Sequence, residues 1–591
     1  MEKQKFSEQF TDLLVELGYT RCFFLAGGNS MHLLEAASRK FECIPFTHEV
    51  SAVIASEYAN VVSREKSWVL VTAGPGLTNA VTGIAGSWLE SRHLLVVGGQ
   101  VKIQDLNRGE VRQRGIQEVN GVDLVRSITK GALRVEPETT MGEIEELILS
   151  SNRDRKGPVF IEVPIDISAA NTRKAHRVIG MNLLDEVKFE ELAKAENSII
   201  SLLEQSSRPV FLIGQGATKG IAKDFAEACL EAGIPVATTW TGADRVGFDM
   251  PNYVGRPNFY GMRSSNLIVQ KSDLVVALGA RLGLQQTGFN VKEFAPHAKI
   301  IQVDVDVREL SRDLPRKDLI INLDCNPLLE ALTTRIVRDA QWTPWLEHCQ
   351  QVMKAFPMVE QRAMKDRNYL NPYLVIERVS GILESEEIVV SCSSGGTFTA
   401  FMQSFRNKTD QTIISNKGLA SMGYGLAGAI GASIASNSGR VILFEGDGGF
   451  VQNLQELGTV MAQNLPLKMF IFDNSGYASI RTSQNSYFRG NYIGCDTSTG
   501  LGMPSWPAIA SAYGIDYVDL THDVRDKDLA ELISSPGPLL IRIAVDPNLT
   551  YLPKILSRVS EDGGMISNAL HKMHPEIDLG KSELAMRFIR G

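Results

Sequence analysis

Several features that would place the chain in a special class are scarce or missing. Its seven cysteines are scattered and odd in number, so they predict neither a disulfide framework nor a cysteine metal site. No apolar run approaches the roughly 20 residues of a membrane span, and residues 1–10 lack the apolar core of a signal peptide. The net charge of −8 excludes a global basic surface for nucleic acid or anionic membranes. We therefore expect a reduced, cytoplasmic protein that binds neither.

What the sequence does contain is ordinary globular composition, with 44% apolar and 22% charged residues. The length of 591 residues suggests about four domains of roughly 150 residues, or two or three larger ones. Glycine is slightly enriched, with 51 residues against a usual share of about 7%. The glycines follow short apolar runs, and this position is informative.

A short apolar run, a glycine-containing turn and a helical stretch recur along the chain, for example in residues 21–41, 67–90, 208–233 and 440–462. Strands that alternate with helices predict an α/β fold of doubly wound parallel sheets, with ligands beyond the carboxyl ends of the strands. We predict three such domains, at residues 1–175, 190–335 and 365–548, and a tail at 549–591 in which the alternation stops. A polar stretch at about 168–191 separates the first two.

The strongest motif lies in the third predicted domain. An apolar strand at 441–444 precedes Gly446-Asp447-Gly448, and a second strand at 468–472 precedes Asp473-Asn474-Ser475-Gly476. If the strands are parallel neighbours, Asp447 and Asn474 emerge side by side and offer oxygen ligands suited to Mg²⁺ or Ca²⁺. Two ordinary strand–helix turns explain the same residues equally well on spacing alone.

This segment resembles the cofactor- and metal-binding motif of thiamine diphosphate-dependent enzymes, with Asp473 in place of the first asparagine of a pair. The resemblance implies that the cofactors are thiamine diphosphate and Mg²⁺, and that the fold has pyrimidine-binding, central and diphosphate-binding domains. It assigns the metal to Asp447, Asn474 and the backbone carbonyl of Gly476.

The resemblance also requires a glutamate after an upstream strand, and Glu49 follows the apolar residues 44–46. By itself, a glutamate in a first helical turn is explained by the helix dipole. The family places this carboxyl group beside the aminopyrimidine ring of the cofactor. By the same match Gln117 is the active-site glutamine, so Glu49 and Gln117 are the expected catalytic residues.

Further segments resemble the acetolactate synthase branch of this family, namely residues 23–37, 47–60, 72–91, 112–130 and 416–433. By this match Met422 supports the bent cofactor and the Ala420 carbonyl accepts from its 4′-amino group, although a core methionine is the simpler reading of Met422. The expected cofactor-binding residues are Gly27, Gly28, Gly74, Pro75, Asn79, Gly396, Thr397, Ala420, Met422, Gly446, Gly448, Gly449, Ser475 and Tyr477.

The central domain contains GQGATKG at 214–220, after a strand. Alone this is weak evidence for a dinucleotide, because tight helix–strand packing explains such glycines equally well. Acetolactate synthases bind FAD here in a structural role, although some relatives keep the fold without flavin, so FAD is an optional cofactor. The implied FAD-binding residues are Gly214, Gly216, Ala217, Thr238, Thr239, Arg281, Asp304 and Asp306.

Two departures from the family concern the substrate. Gln285 stands where the family has an arginine that holds a carboxylate, and Ser483 stands where it has a tryptophan. We expect a wider acceptor pocket lined by Gln285, Ile480, Arg481 and Ser483, with Arg481 as a different anion contact.

Segments 254–273, 475–506 and 553–575 resemble a subgroup associated with surface-polysaccharide and branched-chain sugar pathways, where the acceptor can be a keto-sugar. Residues 562–565 of the tail are expected to close over the active site, and a loosely attached terminus is the alternative.

The resemblance implies a carboligase that decarboxylates pyruvate and transfers the two-carbon unit to a second carbonyl compound: pyruvate, another 2-keto acid or a keto-sugar. It also implies a homodimer or homotetramer with active sites at the subunit interface. A simple 2-keto acid decarboxylase is the alternative within enzymes, and a catalytically silent regulatory or binding protein is the alternative outside them.

Overall fold

The computed structural model describes residues 3–586 except 174–188, 314, 337–339, 361, 363–365, 367, 437–438, 560–562 and 578. Most of the expected polar stretch at 168–191, and Asp562 of the expected closing segment, therefore lie outside the described residues. Within the described residues, no helix combines the length and the apolar character needed to cross a membrane.

The N-terminal domain is built on a parallel sheet in the order β3–β2–β4–β5–β7–β6, with helices on both faces. Its elements are β1 (Lys3–Lys5), α1 (Phe6–Glu16), β2 (Tyr19–Phe24), α2 (Met31–Ser38), β3 (Glu42–Pro45), α3 (Glu49–Val62), β4 (Lys66–Val71), α4 (Pro75–Leu89), β5 (Leu94–Gln100), α5 (Gly121–Val125), β6 (Gly131–Arg134), α6 (Met141–Ser150), β7 (Pro158–Pro164), α7 (Ile165–Ala169) and β8 (Asn171–Arg173). The short strands β1 and β8 pair antiparallel beside it.

The central domain has a parallel sheet of five strands in the order β10–β9–β11–β12–β13. Its elements are α8 (Phe189–Glu204), β9 (Pro209–Ile213), α9 (Lys219–Ala232), β10 (Val236–Thr238), α10 (Arg263–Lys271), β11 (Leu274–Leu278), α11 (Leu284–Thr287), β12 (Lys299–Val303), α12 (Val307–Leu310), β13 (Leu319–Ile321), α13 (Cys325–Arg335) and α14 (Thr343–Ala355).

The C-terminal domain has a parallel sheet in the order β15–β14–β16–β17–β19–β18. Its elements are α15 (Pro372–Ile382), β14 (Ile388–Ser391), α16 (Gly395–Ser404), β15 (Ile413–Ile414), α17 (Tyr424–Ala435), β16 (Val441–Gly446), α18 (Asp447–Phe450), α19 (Leu457–Ala462), β17 (Leu467–Asp473), α20 (Ala478–Phe488), α21 (Trp506–Tyr513), β18 (Asp516–Asp519), α22 (Asp526–Ser534) and β19 (Leu539–Ala544). The prediction of three parallel-sheet domains is confirmed.

The tail contains β20 (Lys554–Ile555), β21 (Ser557–Val559), β22 (Met565–Ser567), β23 (Met573–His574) and α23 (Leu579–Met586). It forms two small antiparallel sheets, β20–β23 and β21–β22. It is anchored on the central domain, because the Ile555 amide donates to the Phe259 carbonyl at 3.2 Å and the Asn266 side chain donates to the Leu570 carbonyl at 3.1 Å.

The N-terminal and C-terminal domains share one apolar core, in which α3 packs on α17. The two helices approach so closely that a Cβ atom at Gly431 would lie 2.0 Å from the Ala55 carbonyl oxygen. A Cβ atom at Gly428 would lie 2.6 Å from the Tyr58 ring. Because Gly428 faces Tyr58 while Gly431 faces Ala55, the two helices run antiparallel.

Candidate active site

Glu49 is the first residue of α3, which follows the carboxyl end of β3. The ring of His48 caps this helix by accepting from the Val50 amide at 3.4 Å. The Glu49 carboxylate is buried, with 4% of the residue exposed, and its Oε2 atom accepts from Asn79 Nδ2 at 3.0 Å. The expected catalytic glutamate is therefore held in one orientation by the expected cofactor residue Asn79.

Two turns and the loop that contains Gln117 follow other strands of the same sheet, so they lie at the same edge. Gly74 precedes α4 with φ 62°, and a Cβ atom there would lie 2.2 Å from the carbonyl oxygen of Gln117. A Cβ atom at Gly27 would lie 2.3 Å from the Thr72 side chain. Gly28 follows Gly27 in the turn after β2, and Pro75 opens α4. The structure thus brings Gln117 onto the Gly74 turn.

Asp447 and Asn474 follow neighbouring parallel strands, β16 and β17, as the motif predicts. The Asp447 carboxylate is 1% exposed and accepts from the Gly448 and Gly476 amides, each at 2.8 Å. Asn474 is 6% exposed, and its buried Oδ1 atom has no hydrogen-bond partner. Gly476 has φ 126°, and a Cβ atom there would lie 2.4 Å from the Cys495 carbonyl oxygen.

These residues fit a hard divalent cation. Burial raises the pKa of Asp447 to about 7, and the negative charge of Asp473 adds to the increase. A cation would remove the cost of ionising this carboxylate and would partner the free Asn474 oxygen. No group of three His, Cys, Asp or Glu side chains is placed to hold a metal in the described part of the chain. Asp447, Asn474 and the Gly476 carbonyl are therefore the candidate ligand set.

Asp473, which replaces the first asparagine of the family pair, lies close enough to raise the pKa of Asp447, but its oxygens are held by other groups. Its Oδ2 atom accepts from Arg542 Nε at 2.6 Å and from the Trp506 indole at 3.1 Å, and its Oδ1 atom accepts from the Ser475 amide. Asp473 therefore fixes the turn that carries Asn474.

The expected diphosphate-binding residues surround this turn. A Cβ atom at Gly446 would lie 3.4 Å from Thr397 Oγ1, and one at Gly448 would lie 2.6 Å from the Tyr477 ring. Gly449 leaves room for the Glu445 carboxylate, and Ser475 adopts φ 63°. Glycines and backbone amides at a helix N-terminus are typical of a phosphate site.

Ala420 and Met422 lie in the turn before α17. Ala420 adopts φ 55°. Met422 is 38% exposed, so it is not the core methionine that its residue type suggests. The Asn453 side chain holds the end of this turn by donating to the Gly423 carbonyl at 2.7 Å. The Met422 side chain is therefore accessible, as a cofactor contact requires.

The structure does not bring Glu49 and Met422 of one chain together. Glu49 begins α3, and Met422 precedes α17, which runs antiparallel to α3 and crosses it near Ala55 and Gly431. At 1.5 Å per residue, Glu49 and Gly423 lie roughly 20 Å apart along the helix pair. A single aminopyrimidine ring cannot contact both.

The four expected substrate-pocket residues are divided by the structure. Gln285, Ile480 and Ser483 are exposed, and Ile480 and Ser483 lie on the outer face of α20. Arg481 is 6% exposed and points inward, where it donates to the carbonyls of Asn474 at 2.7 Å and Pro547 at 3.3 Å. It also pairs with Asp496 at 3.1 Å. The Arg481 nitrogens therefore hold the turn of residues 473–476, and the expected contact of Arg481 with a substrate anion stays a prediction.

The expected FAD residues fit a flavin only in part. The Gly214–Gly216 turn presses against Gly279, so backbone glycines are required there. The Thr238 hydroxyl, however, bonds the Tyr253 hydroxyl at 2.8 Å, and Asp306 pairs with Arg155 of the N-terminal domain at 2.6 Å. Thr239 accepts from the Gly242 amide, Asp304 is partly buried with a raised pKa, and Arg281 is exposed. Ala217 is buried. FAD stays a prediction.

Tyr551 is a site residue that the sequence did not reveal. Its ring covers Gly396, where a Cβ atom would lie 2.1 Å away, and burial raises the pKa of its phenol while the neighbouring Asn474 side chain lowers it. Asn474 Oδ1, which has no hydrogen-bond partner, is available to a metal on the same turn. Tyr551 follows β19 in the tail, and only tertiary packing brings it to the metal turn, so no local pattern could have identified it.

Family models match the chain in three consecutive parts. They are the N-terminal TPP binding domain, the central domain and the C-terminal TPP binding domain of thiamine pyrophosphate enzymes, at residues 4–124, 197–332 and 394–543. The chain therefore belongs to the thiamine pyrophosphate enzyme family, which confirms the resemblance. Family membership implies thiamine diphosphate and Mg²⁺ as cofactors.

Within this family the chain is acetolactate synthase-like. It is 29% identical to the acetolactate synthase large subunit of Cyanidium caldarium, over 86% of each chain. It is 28% identical to the isozyme 2 large subunit of Escherichia coli, over 90% of this chain and 93% of the relative. The chloroplastic acetolactate synthase 1 of rice is 28% identical, over 94% of this chain and 87% of the relative.

Proposed function

We propose that the protein is a thiamine diphosphate-dependent carboligase that decarboxylates pyruvate and transfers the two-carbon acyl unit to a second carbonyl compound. The observation that carries the proposal is the pair of buried ligands at one sheet edge, Asp447 and the unpartnered Asn474 oxygen. The acetolactate synthase relatives support the carboligation outcome.

When bound, thiamine diphosphate supplies the electron sink that lets a 2-keto acid lose CO₂. Asp447, Asn474 and the Gly476 carbonyl would hold Mg²⁺ against the diphosphate, and the Gly446–Gly449 turn would offer its backbone amides. Asn79 engages Oε2 of Glu49, which leaves Oε1 to exchange a proton with the aminopyrimidine ring. The burial of Glu49 keeps competing water away from that proton.

We also propose that each active site is shared between two copies of the chain, in a homodimer or homotetramer. The separation of Glu49 from the Met422 turn along α3 and α17 supports this arrangement. A second support is the exposure of apolar side chains in segments assigned to the site, which a partner would cover: Ile116 at 85%, Ile480 at 48% and Ile493 at 68%.

The acceptor is proposed to be larger than a second pyruvate. Gln285 offers no guanidinium to clamp a carboxylate, and the exposed Ser483 leaves space beside α20 where the family has an indole. A keto-sugar or another bulky ketone would suit this wider opening.

Product analysis tests the proposal. The purified protein, loaded with thiamine diphosphate and Mg²⁺, is given pyruvate alone and then pyruvate with a panel of keto-acid, ketone and keto-sugar acceptors. A coupled product with one acceptor supports the carboligase. Acetaldehyde as the sole product would identify a decarboxylase, and no CO₂ release together with no cofactor-induced shift in melting temperature would identify a silent protein. A clear preference for a second pyruvate would contradict the acceptor proposal.

A further inference from the structure

A buried ionic cluster lies away from the proposed chemistry, where the N-terminal and C-terminal domains meet. Its centre is Arg92, which follows α4 and is 6% exposed. Arg92 Nη1 donates to Glu57 Oε1 at 2.6 Å, and Nη2 donates to the Ser415 carbonyl at 2.6 Å. The Arg92 guanidinium also lies over the Tyr58 ring, 5.3 Å from its centroid.

Glu57 extends the cluster into the C-terminal domain. This carboxylate is fully buried in α3 and accepts from Asn416 Nδ2 at 3.2 Å and from the Tyr424 hydroxyl at 3.1 Å. Burial raises the pKa of Glu57, while the Arg92 charge opposes the increase. The Tyr424 hydroxyl shares its single proton with the Gly83 carbonyl, and a Cβ atom at Gly86 would lie 1.6 Å from the Tyr424 hydroxyl oxygen. The Tyr424 hydroxyl is therefore closely packed against Gly86 and is also hydrogen-bonded to Glu57.

Glu90 and Gln215 complete the cluster. Glu90 accepts from the Gly418 amide. With its amide oriented to satisfy both neighbours, Gln215 donates to Glu90 Oε2 at 3.1 Å and accepts from Arg92 Nε at 3.2 Å. Gln215 lies between Gly214 and Gly216 of the central domain, so one guanidinium connects all three domains.

The contacts concentrate on the segment that leads to Met422. Ser415, Asn416, Gly418 and Tyr424 are each tethered to the cluster, and Ala420 and Met422 lie between the last two of these tethers. A buried ion pair contributes little net stability compared with apolar residues of the same volume, because desolvation offsets the attraction. What such a cluster does provide is one fixed geometry for the groups that it joins.

We propose that Glu57, Glu90, Arg92, Asn416 and Tyr424 form a positioning cluster that sets the turn at 418–423 against the bound cofactor. The inference rests on the proposed function, because it assumes that Ala420 and Met422 contact thiamine diphosphate. The cluster residues act through this turn and touch neither cofactor nor substrate.

The test compares Tyr424→Phe with the wild-type protein. This change removes one hydroxyl and keeps the ring, so the core remains filled. We expect the dissociation constant of thiamine diphosphate, measured by calorimetry at saturating Mg²⁺, to rise about tenfold because the turn loses one of its tethers. We also expect the near-ultraviolet circular dichroism of the bound cofactor to change. Asn416→Ala is expected to act in the same direction.

Tyr19→Phe is the matched control, because Tyr19 is also a buried tyrosine whose hydroxyl bonds a side chain, His93, but on the outer face of the N-terminal sheet. It is expected to change the melting temperature of the cofactor-free protein but not cofactor affinity. If the Tyr424 and Asn416 variants lower the melting temperature and bind the cofactor like wild type, the cluster is only structural and the inference is wrong.

Two further outcomes are decisive. If the wild-type protein itself does not bind thiamine diphosphate with Mg²⁺, the proposed function fails before the cluster is tested. If neither variant folds, amide hydrogen exchange of the wild type replaces them. Cofactor binding should then slow exchange both in the turn at 418–423 and around Arg92, and protection of the turn alone would contradict the coupling.

Discussion

Asp447 is a buried carboxylate, so its charge changes near neutral pH. Its pKa in the metal-free protein is raised from 3.8 to about 7, mainly by burial. Between pH 3.8 and about 7, Asp447 is therefore protonated in the folded protein and ionised in the unfolded chain. This contribution to the free energy of unfolding is present below pH 3.8 and is lost as the pH rises through 7.

The same shift predicts how Mg²⁺ binding depends on pH. The cation requires the ionised carboxylate, so Mg²⁺ should bind about tenfold more weakly at pH 6 than at pH 8 and should release a proton below pH 7. Calorimetry in two buffers of different ionisation enthalpy measures both effects. Asp447→Asn is the control, since it should abolish Mg²⁺ binding at every pH. A pH-independent affinity in the wild type would show that Asp447 is not a ligand.

At the residue scale, the sequence identified groups that have a local signature. Asp447 and Asn474 follow apolar strands, and Glu49 opens a helix after one, so each could be located from its neighbours in the chain. The contacts of Arg481 with the Asn474 and Pro547 carbonyls were not predicted, because sequence does not reveal which face of a helix is buried. Tyr551 was missed because its contact with Asn474 depends on the path of the tail.

At the scale of elements, Arg481 of α20 connects the turn of residues 473–476, which carries the candidate metal ligands Asn474 and Gly476, to the rest of the C-terminal domain. Arg481→Met removes the donors to the Asn474 and Pro547 carbonyls and to Asp496. We expect Mg²⁺ affinity to fall about tenfold, because the Asn474 turn is no longer anchored. The KM for pyruvate at saturating cofactors should stay near the wild-type value.

Arg489→Met is the matched control for this change, because Arg489 ends the same helix and is exposed. It should leave Mg²⁺ affinity unchanged. A raised KM for pyruvate with normal Mg²⁺ affinity in Arg481→Met would support the original prediction that Arg481 contacts the substrate anion.

The tail is the second element with a direct link to the site. Tyr551→Phe removes the phenol oxygen that neighbours the Asn474 side chain, while the ring still covers Gly396. We expect Mg²⁺ affinity to fall between about threefold and tenfold, as for the loss of one neutral hydrogen bond. Titration of the metal-free protein with Mg²⁺ at saturating thiamine diphosphate measures this.

Tyr373→Phe separates orientation of Asn474 from docking of the tail. The Tyr373 hydroxyl accepts from the Leu552 amide at 3.0 Å, next to Tyr551 but in the tail backbone. If Tyr373→Phe weakens Mg²⁺ binding as much as Tyr551→Phe does, tail docking rather than the phenol of Tyr551 explains the effect.

At the scale of the whole molecule, the sequence was sufficient for the class of fold. Alternating strands and helices require crossover connections and hence parallel sheets, and the structure has three of them. The N-terminal and C-terminal sheets have the same strand order. Numbered along the chain within each sheet, the six strands lie side by side as second, first, third, fourth, sixth and fifth. Periodicity could not predict this equivalence, because it depends on which strands pair in space.

The relative position of the domains also could not be predicted from local sequence patterns. The small residues of α3 and α17 indicate that each helix packs closely against another. They do not indicate which helix that is, or whether the two run parallel or antiparallel. The antiparallel contact at Ala55 and Gly431 separates Glu49 from Met422 within one chain. This separation supports the proposal that each active site combines Glu49 of one copy with Met422 and Asp447 of another.

Mixed assembly tests this central claim most directly. Glu49→Gln and Asp447→Ala, each inactive alone, are denatured, mixed in equal amounts and reassembled, and the yield of coupled product from pyruvate and acceptor is measured. Half of the random dimers contain both chains, and each has one intact site of two, so we predict about a quarter of wild-type activity. No recovered activity in mixed dimers, whose formation is verified with two affinity tags, would contradict the shared site.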